Sequence, residues 1–374
     1  MKIFMNVGDA SADFYAANLA KELKVLDPSV ELSGNGGALM QGAGVKILNN
    51  LVDLSVIGFS EVVKNYFKLV KMISDTAEFI KENKIDLVVL MDYPGFNLRL
   101  AKKLKKANVK VAYFILPQIW AWGKGRIKKV KKFVDKSFVI LPFEEKFYKD
   151  KNIPVEFFGH PLLDSAGPTK SREELIKEFK LDASKKTLGL FPGSRRQEIE
   201  TLLPLMLDVA AGMKDVQMVL CQAPSVDDGL MQKYLAGFSR QIKVVKGRTY
   251  DAMAVSDCIL AASGTVTLEA AVMGVPAVVV YKVSPVTYQI LIRILDLDYV
   301  ALPNIIAGRM IIPELLQANA TKEKVSAEIS DILNNKSRRE EIIVNIKKVK
   351  DSLGNPGVIR KVAKRIMEIS ENQI

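Results

Sequence analysis

The chain has 374 residues and a formal net charge of +12, with 49% of residues hydrophobic and 26% charged. This length predicts about two domains with real cores, and the composition is that of a soluble globular protein. The two cysteines lie inside apolar runs, which excludes a disulfide scaffold and indicates a reduced, cytoplasmic protein. No apolar run reaches the ~20 residues that span a bilayer, and the first residues are too soon interrupted for a signal peptide, so we expect no membrane crossing.

Short apolar runs typical of strands alternate with amphipathic stretches typical of helices, such as residues 12–26, 97–107 and 201–211. This βαβα order predicts the α/β class, with parallel, doubly wound sheets and right-handed crossovers. The predicted strands are residues 3–7, 30–33, 87–91, 111–115, 136–141, 187–190, 217–220, 243–245, 258–261 and 277–281.

The strands form two sets, and a stretch rich in Gly, Pro and polar residues near 160–170 separates them. We therefore predict two Rossmann-like domains that face a central cleft, residues 1–165 and 166–350. Residues 351–374 are predicted to hold a last helix, and whether it packs back on the N-terminal domain is left open. The only histidine, His160, lies in the linker, where a structural hydrogen bond is a commoner role than acid–base chemistry.

Two loops that follow strands in the N-terminal half carry carboxylates. In open α/β sheets, ligands bind beyond the carboxyl ends of the strands, where both loops lie. The loop at Asp9 resembles a helix N-terminus but lacks the spaced glycines of a dinucleotide fingerprint, so NAD is not expected. Asp92 directly follows an apolar run, where it can serve as a general base or cap the next helix, and position alone leaves these roles tied.

Residues 60–80 combine a wide apolar arc with lysines at its margin. Such a helix can lie in a lipid interface or bury its apolar face against a sheet, and burial is the default. The candidate membrane-contact residues on this arc are Val62, Val63, Phe67 and Val70.

Positive charge is concentrated between residues 99 and 151, which hold 16 Lys or Arg against 4 Asp or Glu, while the rest of the chain balances. Such a window predicts a docking surface for nucleic acid or an anionic membrane, with a merely solvated face as the alternative. Trp120 and Trp122, the only tryptophans, adjoin the lysines. As interfacial anchors they would favour a membrane, although core packing is the commoner role.

A strand, a tight Pro-Gly turn and a helix are predicted around Gly193, Ser194 and Arg195. The first N–H groups of a helix have no partner within it, so they and the helix dipole favour an anion. Ser194 can cap the helix, and the guanidinium of Arg195 suits phosphate. For this segment alone, an ordinary turn with a solvated arginine is an equal alternative.

A second strand–turn–helix segment, at Ser263, Gly264 and Thr265, favours the anion site over an ordinary turn. Its N–H groups can hold the second part of a diphosphate. Glu269 lies about one turn into the following helix, within reach of the hydroxyl pair of a ribose. Two such segments in one domain predict a site for a nucleoside diphosphate.

Six motifs follow one another along the chain to about residue 317. They are Gly-Ala-Leu-Met at 37–40, Trp-Ala-Trp at 120–122, Gly-His-Pro-Leu-Leu-Asp at 159–164, Phe-Pro-Gly-Ser-Arg at 191–195, Ala-Ser-Gly-Thr-Val-Thr-Leu-Glu at 262–269 and the highly specific Leu-Pro-Asn-Ile-Ile-Ala-Gly-Arg at 302–309. In this order they resemble the lipid-A-disaccharide synthase family. The resemblance implies a GT-B inverting glycosyltransferase of lipid A (lipopolysaccharide) biosynthesis. Its reaction joins UDP-2,3-diacylglucosamine to 2,3-diacylglucosamine 1-phosphate through a β1→6 bond and releases UDP.

The resemblance also implies roles for individual residues, with no metal and no cofactor. Asp92 is the catalytic base, which breaks the tie left by its position. The N-terminal domain takes the acceptor and meets the membrane, and the C-terminal domain binds the UDP-sugar. The implied acceptor-binding residues are Asp9, Ser11 and Asn97, and the implied donor-binding residues are Ser194, Arg195, Ser263, Gly264, Thr265, Thr267, Glu269, Asn304 and Arg309.

The chain departs from the family pattern in the half expected to hold the acceptor. Asp9 replaces a glutamate, Ala12 replaces a glycine, Gly95 replaces an aspartate, and Gln118 stands where serine is usual. The reaction class is unaffected by these changes, whereas the identity of the acceptor depends on them.

The implied location is cytoplasmic, on the inner face of the inner membrane, with the oligomeric state left open. Nucleic acid is not an expected partner. The alternatives are another UDP-sugar transferase or a UDP-GlcNAc epimerase on the same scaffold and, ranked far lower, a basic nucleic-acid-binding protein. A nucleic-acid-binding protein would have aromatic residues interleaved with basic residues along a groove. That alternative does not explain the two predicted phosphate turns.

Overall fold

The structure, a computed structural model, describes residues 1–52, 66–295 and 297–371. It divides into two compact units. Unit 1 comprises Met1–Asp164 together with Leu353–Ile374, and unit 2 comprises Ser165–Ser352.

Each unit is built on one parallel sheet. The strands are β1 Lys2–Asn6, β2 Glu31–Gly36, β3 Lys46–Asn50, β4 Leu87–Met91, β5 Lys110–Phe114, β6 Lys136–Val139, β7 Glu156–Phe157, β8 Lys186–Phe191, β9 Val216–Gln222, β10 Lys243–Lys246, β11 Cys258–Ala262, β12 Ala277–Tyr281 and β13 Glu314–Leu316. The sheet of unit 1 has the strand order β3-β2-β1-β4-β5-β6-β7, and that of unit 2 has the order β10-β9-β8-β11-β12-β13.

Helices connect the strands in the βαβ order that parallel pairing requires. In unit 1 and at its boundary they are α1 Ala10–Leu26, α2 Ala38–Gly42, α3 Tyr66–Glu82, α4 Pro94–Lys106, α5 Ile127–Phe133, α6 Pro142–Lys149, α7 Leu162–Ser165 and the C-terminal α17 Val358–Glu371. In unit 2 they are α8 Arg172–Phe179, α9 Arg196–Gly212, α10 Asp228–Leu235, α11 Thr249–Val255, α12 Thr265–Met273, α13 Pro285–Ile294, α14 Leu302–Ala307, α15 Lys322–Asn334 and α16 Lys336–Ser352.

The prediction of two doubly wound parallel α/β domains is confirmed. All ten predicted strands are present, within a few residues of the predicted ends. The sequence reasoning missed β3, β7 and β13, which are edge strands of two to five residues. Edge strands are half solvated and short, so they lack the continuous apolar run that marks a central parallel strand.

Successive residues of the central strands face opposite sides of the sheet in unit 1. Ile3 and Met5 belong to one apolar cluster, while Phe4 belongs to the other. The C-terminal helix α17 completes the first cluster beside α1, because Val358, Val362 and other apolar side chains of one face are buried there. Each such side chain contributes roughly 1.5–3 kcal/mol when removed from water.

Hydrogen bonds fix the entry of the chain into α17. The Asp164 carboxylate accepts from the backbone N–H of Ile359 at 2.8 Å and of Gly357 at 2.5 Å. His160 is buried, its N–H donates to Leu353 at 2.9 Å, and its Nδ1 accepts from the N–H of Leu162 at 3.1 Å. Burial lowers the pKa of His160 to about 3, so the ring stays neutral. The predicted structural role of this histidine is confirmed.

Two further predictions concern the cysteines and the membrane. Both cysteines, Cys221 and Cys258, are free and buried, as predicted. Within the described ranges, no helix is both long and apolar enough to cross a membrane.

Candidate active site

The residue proposed as base lies at the carboxyl end of a buried strand. All five residues of β4 are buried, and Asp92 follows directly. Asp92 and the next residue, Tyr93, both adopt a left-handed backbone with φ of +41°. Side chains rarely accept this conformation, which costs roughly 1–3 kcal/mol per residue and clusters at functional sites. The turn directs the chain from β4 into α4, which begins at Pro94.

A second carboxylate adjoins Asp92. Asp9 follows β1, the neighbour of β4, and it caps α1 by accepting from the N–H of Ala12 at 2.9 Å. The Asp9 carboxylate lies close enough to the Asp92 carboxylate to affect its pKa. Burial first, and then the charge of Asp9, raises the pKa of Asp92 from its usual 3.8 to about 6, while the charge of Arg126 acts in the opposite direction. The pair therefore holds a carboxylate that gains and loses its proton near neutral pH.

The other residues predicted to bind the acceptor occupy different positions around this pair. Ser11 is exposed in the first turn of α1. Asn97 is buried, and its Nδ2 donates to the carbonyl oxygens of Met91 at 2.9 Å and Asp92 at 2.7 Å. Its amide is thus engaged in holding the backbone around Asp92, and contact with an acceptor stays a prediction.

The backbone approaches closely at Gly8, between β1 and α1. A Cβ atom at this position would lie 2.4 Å from the ring of Tyr93, so only glycine fits beside that ring. Tyr93 in turn stacks on Phe96, with ring centroids 5.8 Å apart. The loops after β1 and β4 are therefore in contact through the packing of Tyr93 on Gly8 as well as through the carboxyl pair.

The two tryptophans have different environments. Trp120 is buried, and its Nε1 donates to Glu144 at 2.8 Å, so the prediction of core packing holds for this residue. Trp122 is 41% exposed, and the guanidinium of Arg126 lies 3.7 Å from the centroid of its ring. Arg126, which sequence reasoning did not single out, thus combines a cation–π contact with an electrostatic influence on Asp92.

The basic window forms exposed surface of unit 1. The side chains of Lys102, Lys103, Lys106, Lys128, Lys129, Lys131 and Lys132 on α4 and α5 are exposed. Helix α3 presents the exposed Phe67 and Val70 and buries Ile73 and Ile80 on its other face. Val62 and Val63 lie outside the described residues.

In unit 2, the two predicted phosphate turns lie at the same sheet edge. Strands β8 and β11 are parallel neighbours, and Phe191 is level with Ala261. The turns that begin one or two residues later are therefore side by side, at the ends of adjacent strands. Gly193 has a φ of +110°, which favours glycine, and Arg195 forms the N-cap of α9.

A side chain of the protein occupies the first turn. Glu198, in the first turn of α9, accepts through Oε2 from the N–H groups of Ser194 at 3.0 Å and Arg195 at 3.2 Å. Its Oε1 accepts from the Arg195 guanidinium at 3.2 Å. Sequence reasoning missed Glu198, although a glutamate three residues after an N-cap is the signal of a capping box. The donors predicted to bind phosphate thus already hold an anionic group.

The second turn is more open. No atom lies within 4 Å of a Cβ placed on Gly264, and Thr265 is exposed. The hydroxyl of Thr267 donates to the Gly264 carbonyl at 2.8 Å, and that of Ser263 donates to Val300 at 3.0 Å. These two hydroxyls hold the turn, and its N–H groups at the start of α12 face an accessible position.

Glu269 lies one turn further along α12. Its carboxylate accepts from the Tyr250 hydroxyl at 3.3 Å. Burial raises the pKa of Glu269, and this hydrogen bond opposes the rise. A half-buried carboxylate beside a phenol can accept hydrogen bonds from a diol.

Asn304 and Arg309 both make side-chain hydrogen bonds within unit 2. Asn304 is buried; its Oδ1 accepts from Ile311 and Ile312, and its Nδ2 donates to Glu314 at 2.7 Å. Arg309 donates to Asn345 at 2.7 Å. The Glu314 carboxylate also accepts from the N–H group of Val300 at 2.9 Å, and the Val300 carbonyl accepts from Ser263 of the second turn. Asn304 thus supports a segment that contacts the second turn, and contact of Asn304 or Arg309 with the donor stays a prediction.

In residues 1–52, 66–295 and 297–371, no three His, Cys, Asp or Glu side chains cluster closely enough to hold a metal ion.

Comparison with known sequences identifies relatives along the whole chain. A model of the family described as lipid-A-disaccharide synthetase matches residues 3–368. Lipid-A-disaccharide synthase of Geobacter metallireducens is 40% identical over 372 residues, which cover 98% of this chain and 97% of that protein. The Coxiella burnetii protein of the same name is 39% identical over 368 residues, covering 97% of each chain.

Solved structures share the fold at low identity. UDP-GlcNAc 2-epimerase from Neisseria meningitidis, bound to UDP-GlcNAc, aligns with a TM-score of 0.66 at 13% identity, covering 99% of each chain. A glycosyltransferase from Rickettsia africae aligns with a TM-score of 0.59 at 15% identity, covering 100% of this chain and 99% of that one. At such identities the likeness shows the GT-B fold alone, and it does not favour epimerase over transferase.

The family and its activity therefore rest on the sequence relatives, which agree with the motifs described above. The predicted reaction class, a UDP-sugar-dependent glycosyltransferase of lipid A biosynthesis with a lipid-linked acceptor, is confirmed. With matches over nearly its full length, the chain belongs to the lipid-A-disaccharide synthase family.

Proposed function

We propose that this protein transfers 2,3-diacylglucosamine from its UDP derivative to the 6-hydroxyl of 2,3-diacylglucosamine 1-phosphate. The observation that carries this proposal is the pair of strand-end turns in unit 2, at the ends of neighbouring strands. Their N–H groups and Arg195 suit the two phosphates of one UDP. Unit 2 takes the donor, and unit 1, which carries the carboxyl pair, takes the acceptor.

The donor's diphosphate binds at Ser194, Arg195, Gly264 and Thr265. It competes there with the Glu198 carboxylate, which must leave the N–H groups before phosphate can accept from them. Glu269 accepts the hydrogen bonds of the ribose hydroxyls. As the bond from C1 to the UDP oxygen breaks, its electron pair leaves with UDP, and the same N–H and guanidinium donors stabilise the growing negative charge.

Asp92 accepts the proton of the acceptor hydroxyl. As that oxygen bonds to C1 from the face opposite UDP, its proton passes to the carboxylate, and C1 is inverted. A pKa of about 6 leaves most Asp92 side chains ionised above pH 7 while keeping them more basic than an ordinary carboxylate. The charge of Asp9 supports this role because it makes ionised Asp92 less stable and so raises the pKa of Asp92.

Both substrates carry acyl chains and anionic groups, so the protein must work at a membrane surface. The exposed lysines of α4 and α5 suit an anionic headgroup layer, and the exposed Phe67 and Val70 suit the acyl boundary. We assign it to the cytoplasmic face of the inner membrane as a peripheral protein, with Val62 and Val63 extending the apolar contact. Nucleic acid has no place in this reaction.

The test is UDP release from UDP-2,3-diacylglucosamine, with and without the 1-phosphate acceptor. We expect release only with the acceptor, whereas an epimerase would convert the sugar alone and release no UDP in transfer. Asp92→Ala should keep UDP binding and lose turnover by at least ~100-fold. Asp150→Ala, at an exposed ion pair, is the matched control and should keep turnover. Unchanged turnover in Asp92→Ala would refute the assignment of the base.

A further inference from the structure

Four asparagine side chains in unit 1 form a continuous hydrogen-bonded chain that ends at the backbone of Asp92. We call Asn49, Asn35, Asn6 and Asn97 the asparagine ladder. The last three are fully buried. In each link, Nδ2 of one asparagine donates to Oδ1 of the next: Asn49 to Asn35 at 2.9 Å, Asn35 to Asn6 at 2.8 Å and Asn6 to Asn97 at 2.7 Å.

Strand register creates the ladder. Asn6 of β1 is the partner of Asn35 of β2, and Asn35 is the partner of Asn49 of β3. All three residues lie near the carboxyl ends of their strands, where a parallel sheet binds its ligands. The fourth member, Asn97 in the first turns of α4, continues the row across β4. A parallel sheet covered on both faces normally has apolar side chains at such positions.

The direction of every hydrogen bond in the ladder is determined at its inner end. The carbonyl oxygens of Met91 and Asp92 can only accept, so Asn97 must turn its NH₂ group towards them. Its Oδ1 then faces Asn6, which must donate, and the same requirement passes outward through Asn35 to Asn49. Hydrogen bonds aligned in this way polarise one another.

The ladder ends where the backbone is strained. Asp92 and Tyr93 have a φ of +41°, and the carbonyl oxygen of Asp92 accepts from Asn97 and from the buried hydroxyl of Tyr113. An outlying backbone conformation persists only when its surroundings determine it. Three buried amides are an expensive means of general stabilisation, because apolar side chains would fill the same space without needing partners.

We propose that the asparagine ladder is a positioning device that holds Asp92 in its reactive orientation, with Asn6 and Asn35 acting on the carboxylate through Asn97. This inference rests on the proposed role of Asp92 as the base. The hydrogen bonds of Asn6, Asn35 and Asn49 described above join the asparagines to one another and do not reach the Asp92 carboxylate, so we class these three as positioning residues. Their loss affects the chemical step more than substrate binding.

The test uses Asn35→Leu, which keeps the side-chain shape and breaks the ladder two links from Asp92. We expect kcat to fall by at least ~10-fold while KM for either substrate changes by less than ~3-fold, because small displacements of a reacting group are costly. Thr187→Val in unit 2 is the control, since Thr187 is also buried and the change removes its hydroxyl, which accepts from Gln217 at 3.0 Å. It should leave kcat unchanged.

Should Asn35→Leu fail to fold, Asn49→Ala replaces it, because Asn49 is only half-buried at the outer end of the ladder. We expect a ~3-fold fall in kcat with unchanged KM. In either variant, an unchanged kcat, or a loss equal to that of Thr187→Val, would overturn the inference.

A double variant separates this inference from the function on which it rests. Asn35→Leu added to Asp92→Ala should cause no further loss, because the ladder acts only through Asp92. If the double variant lost turnover by the product of the two single-variant factors, the positioning role would be overturned. If Asp92→Ala alone kept its turnover, the proposed base would be wrong. If Asp92→Ala lost turnover and Asn35→Leu did not, the positioning role alone would fail.

Discussion

Replacement of Asp92 by asparagine should make the protein more stable at neutral pH while it removes the base. In the folded protein the pKa of Asp92 is raised above its usual value, first by burial and then by Asp9. Folding therefore disfavours the ionised form. The contribution of the protonated form to stability is present below about pH 4 and is lost as the pH rises through about 6. Asparagine never ionises, so the variant does not carry this cost at any pH.

The size of the effect follows from the two pKa values. The pKa of Asp92 rises from 3.8 to about 6 on folding. A pKa difference of 1 between the folded and unfolded states corresponds to about 1.4 kcal/mol. The ionised Asp92 side chain thus costs at most about 3 kcal/mol of unfolding free energy at pH 8, and about half of that at pH 5. The variant Asp92→Asn should accordingly gain most at pH 8.

The assay is urea unfolding followed by tryptophan fluorescence at pH 5 and pH 8. Both tryptophans of the chain, Trp120 and Trp122, lie in unit 1, so the signal reports the unit that contains Asp92. The advantage of Asp92→Asn over the natural protein should grow by about 1.4 kcal/mol between these pH values. An advantage that is constant, or that shrinks as the pH rises, would refute the reasoning about the carboxyl pair.

Three further predictions concern the acid limb, the occupied turn and the membrane. Turnover should fall below about pH 6 as Asp92 takes up a proton. Asp9→Asn, which keeps the cap of α1, should move this acid limb of the pH–rate profile to lower pH. A shift of the acid limb to higher pH would contradict the pairing of the two carboxyl groups. Glu198→Gln should bind UDP ~5-fold more tightly in calorimetry, because a neutral amide competes less well for the donors of the turn; weaker binding would show that Glu198 only organises the turn. The double change Phe67→Ser and Val70→Ser should reduce sedimentation of the protein with anionic vesicles. The control Val25→Ser, at a residue 68% exposed on α1, should not reduce it. If both variants lost sedimentation equally, the membrane contact would lie elsewhere.

The sequence predicted the central strands because a parallel sheet covered on both faces requires continuous apolar runs. The run at 87–91, for example, corresponds to β4 without error, and all of its residues are buried. The same reasoning failed for β3, whose sequence Lys-Ile-Leu-Asn-Asn is partly polar. Asn49 in that strand pairs with Asn35, and this contact depends on register that no local pattern reveals.

Site residues could be chosen from the sequence, but their partners could not. Asp92 and the turn at Gly264 were identified from their positions after strands, and the structure has them at those positions. Asn304 lies in the most specific motif of the chain, yet its amide holds the loop before β13. A motif marks a residue whose replacement is costly, and it does not distinguish contact with substrate from support of a neighbouring loop.

The case of Glu198 explains why the distinction matters for the donor site. The signals that predict an anion site at Ser194 and Arg195 are unpaired N–H groups and a guanidinium, and these groups attract any anion within reach, including one from the same helix. A glutamate at the third helical position is the nearest such anion, so the sequence features that favour phosphate also favour its internal competitor. In the structure Glu198 satisfies two N–H groups of this turn. If the turn binds the diphosphate as proposed, phosphate must exchange with a carboxylate, and the affinity for UDP reflects the difference between the two anions.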